Sequence, residues 1–420
     1  MNTADNSSSM INLSKSEELI AQEERYGAHN YHPLPVVLER GLGVHVWDVD
    51  GKRYFDFLSA YSAVNQGHAH PRLLKVMQEQ ASKIALTSRA FHNNRLGPYE
   101  AFICQLFGYD KMLPMNTGAE AVETAIKICR KWAYEKKGIE DGNAVIIVCE
   151  HNFHGRTSTI VSFSSDEGSR KHFGPFGNGF IHVPYSDIAA LEKALQLPNV
   201  SGFLIEPIQG EAGVVMPHDG YLAQASKLCA KHGVLFIADE IQTGIARTGK
   251  MLACDHEEVR PDMIILGKAL GGGIYPVSAV LCDDYIMDCI KPGTHGSTFG
   301  GNPLAAAIAV EALKIVQDEN LAENADRMGR VLREGLIQIS REFPIIKQVR
   351  GRGLLNAIVI DDTPESDTAW NICMAFMRNG LLAKPTHGNI IRFAPPLVIN
   401  EEGIAECLSI IHTTLAQFKP

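Results

Sequence analysis

The 420-residue sequence is poor in the features that would send a chain to a membrane, to nucleic acid or to an oxidising exterior. No apolar run approaches the roughly 18 residues of a membrane span, and runs such as 234–238 are short and closed by charge. Lysine and arginine do not cluster and the formal net charge is -9, which excludes binding through nucleic-acid phosphates. The nine cysteines form no C-x-x-C pair and sit mostly in apolar stretches, so they read as reduced core residues, with Cys149 beside His151 left open as a reactive surface thiol. Neither G-x-G-x-x-G after a strand nor G-x-x-x-x-G-K-[ST] is present, which argues against dinucleotide-binding and P-loop folds. Residues 1–16 are Ser/Asn-rich and lack both arginine and an apolar stretch, unlike secretory or mitochondrial targeting segments. They predict a disordered leader on a cytoplasmic protein, or on one of the mitochondrial matrix should a presequence precede this chain.

What is present is the material of a soluble two-domain protein, 45% hydrophobic and 21% charged, long enough to need neither disulfides nor metal. From about residue 95 to 310, short apolar runs alternate with segments of helical period. That alternation predicts an α/β fold, a mostly parallel sheet flanked by helices. The clearest strands are 144–149, 202–206, 234–238 and 263–266, and helices are expected over 119–134 and 220–231. A long helix after Asn302-Pro303 leads to a smaller α+β unit made of 348–360, a helix near 368–379, the segment 390–393 and a last helix from Glu401. The expected division is an N-terminal segment 1–61 that completes the small domain, a large domain 62–307 and a C-terminal small domain 308–420.

Two strand ends hold the chemistry. The run 234–238 leads into Asp239-Glu240, and 263–266 leads into Gly267-Lys268. Ligands of open parallel sheets bind beyond the carboxyl ends of the strands. An acid and an amine on one rim suit pyridoxal phosphate, which needs a lysine for its aldehyde and a carboxylate to keep its ring nitrogen protonated. Each alone has a plainer reading, Asp239 as a helix cap and Lys268 as a solvated amine. The glycines at 267 and 271–273 would let backbone approach a ligand closely. Asn116-Thr117-Gly118-Ala119 opens a helix whose free N–H groups suit a phosphate, or else forms an ordinary cap. Ser297-Thr298 could add a hydroxyl.

The runs 26–33, 62–68, Glu206-Pro-Ile-Gln-Gly-Glu-Ala-Gly213, Ala238-Asp-Glu-Ile-Gln-Thr-Gly244, Leu266-Gly-Lys-Ala269 and Gly296-Ser-Thr298 resemble the ornithine aminotransferases, of the class III, fold-type I pyridoxal-phosphate enzymes. The likeness covers the chain after the first 20 or so residues, and Tyr31, Tyr61, Arg156 and Ile391-Arg-Phe-Ala-Pro-Pro396 carry the narrower assignment. The resemblance implies pyridoxal 5'-phosphate as cofactor, Lys268 as Schiff-base lysine and proton shuttle, and Asp239 as partner of the pyridine nitrogen. It gives Gln242 the ring hydroxyl and Phe153 the ring face, with Thr117, Gly118, Ala119 and Ser297 at the phosphate and Thr298 reaching it from the neighbouring subunit of a homodimer. Arg156 would clamp the distal carboxylate of glutamate or 2-oxoglutarate. Glu211 would pair with Arg392 while ornithine is bound and swing away for glutamate, and Tyr31 and Tyr61 would contact ornithine's α-amino-acid end. The plainer alternatives are a core aromatic for Phe153, a surface cation for Arg156 and structural tyrosines at 31 and 61. Within the class, activity on acetylornithine or 4-aminobutyrate is the alternative; outside it, a scaffold without catalysis.

Overall fold

Runs of Val, Ile and Leu without polar alternation need cover on both faces. In the computed structural model, which describes residues 14–418, they lie in the middle sheet of three. Strands β1 (Leu38–Leu42), β2 (His45–Asp48) and β3 (Arg53–Asp56) form an antiparallel meander. The strands β4 (Lys111–Met115), β5 (Val145–Cys149), β6 (Phe180–Val183), β7 (Val200–Ile205), β8 (Leu235–Asp239), β9 (Met263–Leu266) and β10 (Ser278–Cys282) make the central sheet, in the order β4-β10-β9-β8-β7-β5-β6. All its pairings are parallel except those of β10, which runs against both neighbours. Every residue of β7, β8 and β9 is buried. The third sheet, ordered β11-β12-β15-β14, contains β11 (Ile346–Arg352) and β12 (Leu355–Ile360); β13 (Leu381–Leu382) instead pairs with β3, and β14 (Lys384–Thr386) and β15 (Ile390–Phe393) complete the third sheet.

The helix Pro303–Asp318 starts where its proline predicts and is capped by the Asn302 side chain, which accepts the Ala305 amide at 2.8 Å. Eleven of its residues are buried, so it is a core element packed on the helices Pro71–Ala81 and Leu96–Phe107. The apolar residues that it covers join the central sheet to the smaller sheets in one continuous core.

Two expectations change. Of residues 1–16, the first 13 lie outside the described residues, while Ser14 caps a helix, Lys15–Tyr26, through a reciprocal pair with Glu17. Cys149 is 1% exposed and burial pushes its thiol up, so the surface-thiol alternative falls; all nine cysteines are free and buried. Among the described residues no helix is long and apolar enough to cross a membrane.

Candidate active site

β8 and β9 lie side by side, with Asp239 opposite Ile265, so the acid and the amine do share a rim. Lys268 follows β9 by one residue and has φ +45°, a left-handed conformation that non-glycine residues adopt at a cost of order 1–3 kcal/mol. Burial lowers the pKa of its amine even though Glu211 and Asp239 pull the other way, and no hydrogen bond holds it among the described residues. The Asp239 carboxylate is 4% exposed and faces His154, Oδ2 lying 2.6 Å from Nδ1. Its other oxygen accepts the Ile241 amide at 3.1 Å. The second ring nitrogen of His154 is buried with no partner among the described residues.

The helix Gly118–Trp132 begins beside this rim. Thr117 and Glu120 cap it reciprocally, with Thr117 Oγ1 accepting the Glu120 amide at 3.2 Å and Glu120 Oε2 accepting the Thr117 amide at 2.7 Å. The amides of Gly118 and Ala119 come first in the helix and so have no intrahelical carbonyl. Both residues line a cavity of about 210 Å³ with Phe153, His154, Glu206, Asp239, Gln242 and Lys268. A Cβ on Gly118 would stand 3.0 Å from the Ile241 side chain, so glycine keeps the cradle open. Ser297 sits against the cap, its Oγ accepting from Asn116 Nδ2 at 2.9 Å, but lines no part of the cavity. Thr298 is exposed and is not brought to its own chain's cavity.

Arg392, on β15, is 2% exposed. Its Nη1 lies 2.7 Å from Glu211 Oε1, which also accepts from Gln242 Nε2 at 3.0 Å. The Gln242 oxygen is 3.4 Å from the same guanidinium nitrogen, so this amide bridges the ion pair here rather than standing free for a ring hydroxyl. Gly210 makes room for it, since a Cβ there would fall 1.5 Å from Gln242 Oε1. Burial works to raise the Glu211 carboxyl, but Arg392 and the Gln242 amide outweigh it and leave the pKa below the ordinary value. The Tyr61 ring lies 5.0 Å from the Arg392 guanidinium carbon, and burial raises its phenol. Tyr31 is 67% exposed, with the Lys384 amine 6.0 Å from its ring. Arg156 is exposed beside the Phe153 ring, in a cavity of about 380 Å³ that it shares with Glu211, Thr386 and His387. It has no carboxylate partner among the described residues, an arrangement open to an incoming carboxylate.

An unpaired, part-buried amine, a buried carboxylate and free amides at a helix start meet around one small cavity. These fit the aldehyde, ring nitrogen and phosphate of pyridoxal phosphate. Sequence reasoning missed His154 and Glu206. His154 adjoins Phe153 in the chain, but its contact with Asp239 spans 85 positions, and no local pattern reports it.

The sequence profile described as aminotransferase class-III matches residues 26–415. The chain belongs to the class III aminotransferases. It is 59% identical over 403 residues to the mitochondrial ornithine aminotransferase of Rattus norvegicus, covering 96% of this chain and 91% of that one. A crystal structure of an acetylornithine aminotransferase from Elizabethkingia anophelis is also 59% identical, with TM-score 0.89 over 97% of this chain and 100% of that chain. An ornithine aminotransferase of Toxoplasma gondii, described with partial occupancy of PLP at its active site, superposes with TM-score 0.94 at 48% identity, over 97% and 95% of the two chains. Class III aminotransferases use pyridoxal phosphate, so the cofactor expectation stands, as does the fold-type I architecture.

Proposed function

We propose that this protein is an ornithine δ-aminotransferase, moving the δ-amino group of L-ornithine to 2-oxoglutarate to give glutamate 5-semialdehyde, which closes to pyrroline-5-carboxylate, and glutamate. One observation carries the reading: the buried Arg392, within electrostatic reach of the Lys268 amine, is paired at 2.7 Å with a carboxylate that is itself partly open. Ornithine presents its terminal amine in one half-reaction and glutamate its α-amine in the other. The site must therefore accept an α-carboxylate near Lys268 in only one of them. A removable counter-ion meets that need, because an unpartnered buried guanidinium is unfavourable until a substrate carboxylate replaces Glu211.

Pyridoxal phosphate, when bound, supplies an aldehyde for the substrate amine and a ring that draws electrons from the bond being broken. The amides of Gly118 and Ala119 would hold its phosphate, with Thr117 and Ser297 fixing that end and Thr298 reaching it from the second chain of a homodimer. Asp239, oriented by His154, would keep the ring nitrogen protonated, and Phe153, which lines the same cavity, would pack against the ring. The Lys268 Nζ carries the proton, and its lowered pKa makes the neutral amine available below the ordinary 10.5. Gln242 braces the ion pair, donating to Glu211 and accepting from Arg392. Arg156 takes the distal carboxylate of glutamate or 2-oxoglutarate, and Tyr31 and Tyr61 contact the α-amino-acid end of ornithine.

A second reading has one observation in its favour: the Elizabethkingia acetylornithine enzyme is as identical to this chain as the rat ornithine enzyme, at 59%. A largely apolar cavity of about 490 Å³ beside Tyr31 and Tyr61 offers room for an acyl group. Rates of glutamate formation from 2-oxoglutarate with each amine as donor separate the two. Ornithine is expected to exceed N-acetylornithine and 4-aminobutyrate in kcat/KM, and the reverse order would replace the proposal. The rat and Drosophila relatives are named mitochondrial, which supports a mitochondrial location over a cytoplasmic one, and imaging of the tagged protein tests it.

A further inference from the structure

Four successive non-glycine residues, Ser59, Ala60, Tyr61 and Ser62, have φ of +48, +47, +60 and +73°. L-residues seldom enter this region even singly, so a whole left-handed turn persists only where its surroundings impose it. Asp56, the last residue of β3, is what imposes it. Its Oδ1 accepts the amides of Leu58 at 3.0 Å and Ser59 at 2.8 Å, and its Oδ2 lies 2.7 Å from His68 Nε2. His68 is fixed in turn by two backbone hydrogen bonds with Gly43, at 2.8 and 2.9 Å. The turn then closes on itself, the Tyr61 amide donating to Leu58 O and the Ala63 amide to Ser59 O, each at 2.9 Å.

The turn carries Tyr61 to within 5.0 Å of the Arg392 guanidinium carbon. Phe57, between Asp56 and the turn, accepts the amide of Ala394 at 2.8 Å, two residues beyond Arg392. Carboxylate, turn, tyrosine and arginine thus form one connected unit.

We propose that Asp56 and His68 are positioning residues for substrate discrimination, locking the left-handed turn that sets Tyr61 against Arg392. The inference rests on the reading of Tyr61 as an ornithine contact. With the Asp56 carboxylate gone, the turn relaxes toward right-handed or extended backbone and the tyrosine leaves the arginine. Asp56 and His68 touch no substrate in this scheme and act only through Tyr61.

The test uses the holoenzyme and its two half-reactions. Asp56→Ala is expected to raise the KM for ornithine about tenfold while the glutamate half-reaction changes less than about twofold, and Asp56→Asn, which keeps an accepting oxygen, should recover most of the loss. Should Asp56→Ala fail to fold, Ala60→Val takes its place: Ala60 is exposed and has φ +47°, a region that a β-branched residue resists, so ornithine KM should climb severalfold while the glutamate half-reaction holds. In a Tyr61→Ala background neither substitution should change ornithine KM further. If Tyr61→Ala leaves ornithine KM untouched, the assignment of Tyr61 fails and the inference with it. If Tyr61→Ala matters but the turn substitutions add to it independently, or slow both half-reactions alike, the positioning role is overturned while the activity stands.

Discussion

Arg392 is 2% exposed and has one carboxylate partner among the described residues, so the fate of Glu211 decides what the arginine binds. Glu211→Ala leaves the guanidinium permanently available to an α-carboxylate. Breaking a fully buried pair costs about 3–5 kcal/mol, and the partial exposure of Glu211 brings this down to about 1–2, or roughly tenfold. Single-turnover reactions should therefore show the ratio of glutamate to ornithine reactivity rising about tenfold. Equal slowing of both halves would make Glu211 a structural residue. Glu206 gives a different kind of prediction. It is 7% exposed, its Oε2 accepts the Phe153 amide at 3.0 Å, and burial, with Asp239 adding to it, holds its carboxyl well above the ordinary 4.5. A carboxyl raised on folding favours the folded state below its unfolded pKa, and that contribution is lost as pH rises through the folded value. Glu206→Gln keeps the acceptor without the charge. The variant should unfold at a higher temperature than the wild type above pH 4.5 and at the same temperature below it. Superimposable pH profiles would mean that Glu206 ionises freely in the folded protein. Asp239 and Lys268 were legible in the sequence because each follows a short apolar run of the kind that forms a buried strand. His154 and Glu206 were not, because burial and a partner far along the chain make their chemistry.

At the scale of elements, helix limits were legible wherever a cap or a proline wrote them: 220–231 became Tyr221–His232, and the helix after Asn302 began at Pro303. Departures occur where tertiary packing overrides local preference. The π-helical turn Ala133–Lys137 prolongs the helix Gly118–Trp132, β10 runs antiparallel in an otherwise parallel set, and the turn Ser59–Ser62 is left-handed without glycine. Packing also reverses an ordinary helix rule. Alanine normally exceeds glycine in a helix by about 1 kcal/mol. At Gly97, in Leu96–Phe107, an added methyl would meet nothing within 4 Å, so Gly97→Ala should leave stability unchanged or raise it. Gly329, in the helix Leu321–Glu342, is different: a Cβ there would lie 1.9 Å from the Gly353 carbonyl oxygen, in the turn between β11 and β12. Gly329→Ala should destabilise by about 1–3 kcal/mol, the range of an overpacked core, read as a shifted denaturation midpoint. Because β12 pairs with β15, which carries Arg392, the same substitution should also weaken substrate binding. Equal midpoints for the two alanine variants would remove this helix contact from the account of the fold.

At the scale of the whole molecule, the site of a single chain lacks one expected member. Thr298 is exposed and does not line the cavity beside Lys268, and its neighbour Phe299 is 48% exposed. Ile84, Leu86 and Phe91 also present apolar surface, at 44, 38 and 71% exposure. Apolar side chains left open in this way invite a partner, and a closed two-fold pair is the commonest arrangement. If Thr298 completes the phosphate site of a second copy, the two defects Lys268→Ala and Thr298→Ala should complement each other. In a mixed dimer one site has both defects, while the other has an intact lysine from one chain and an intact threonine from its partner. Random mixing places about half of the chains' pairs in mixed dimers, each with one intact site, so activity should recover to about a quarter of wild type. Dissociating and reassociating the two variants, with cofactor retention measured alongside turnover, reads this directly. Activity no higher than the mean of the parents would mean that Thr298 serves no site in trans, and sedimentation of a fully active monomer would remove the dimer altogether.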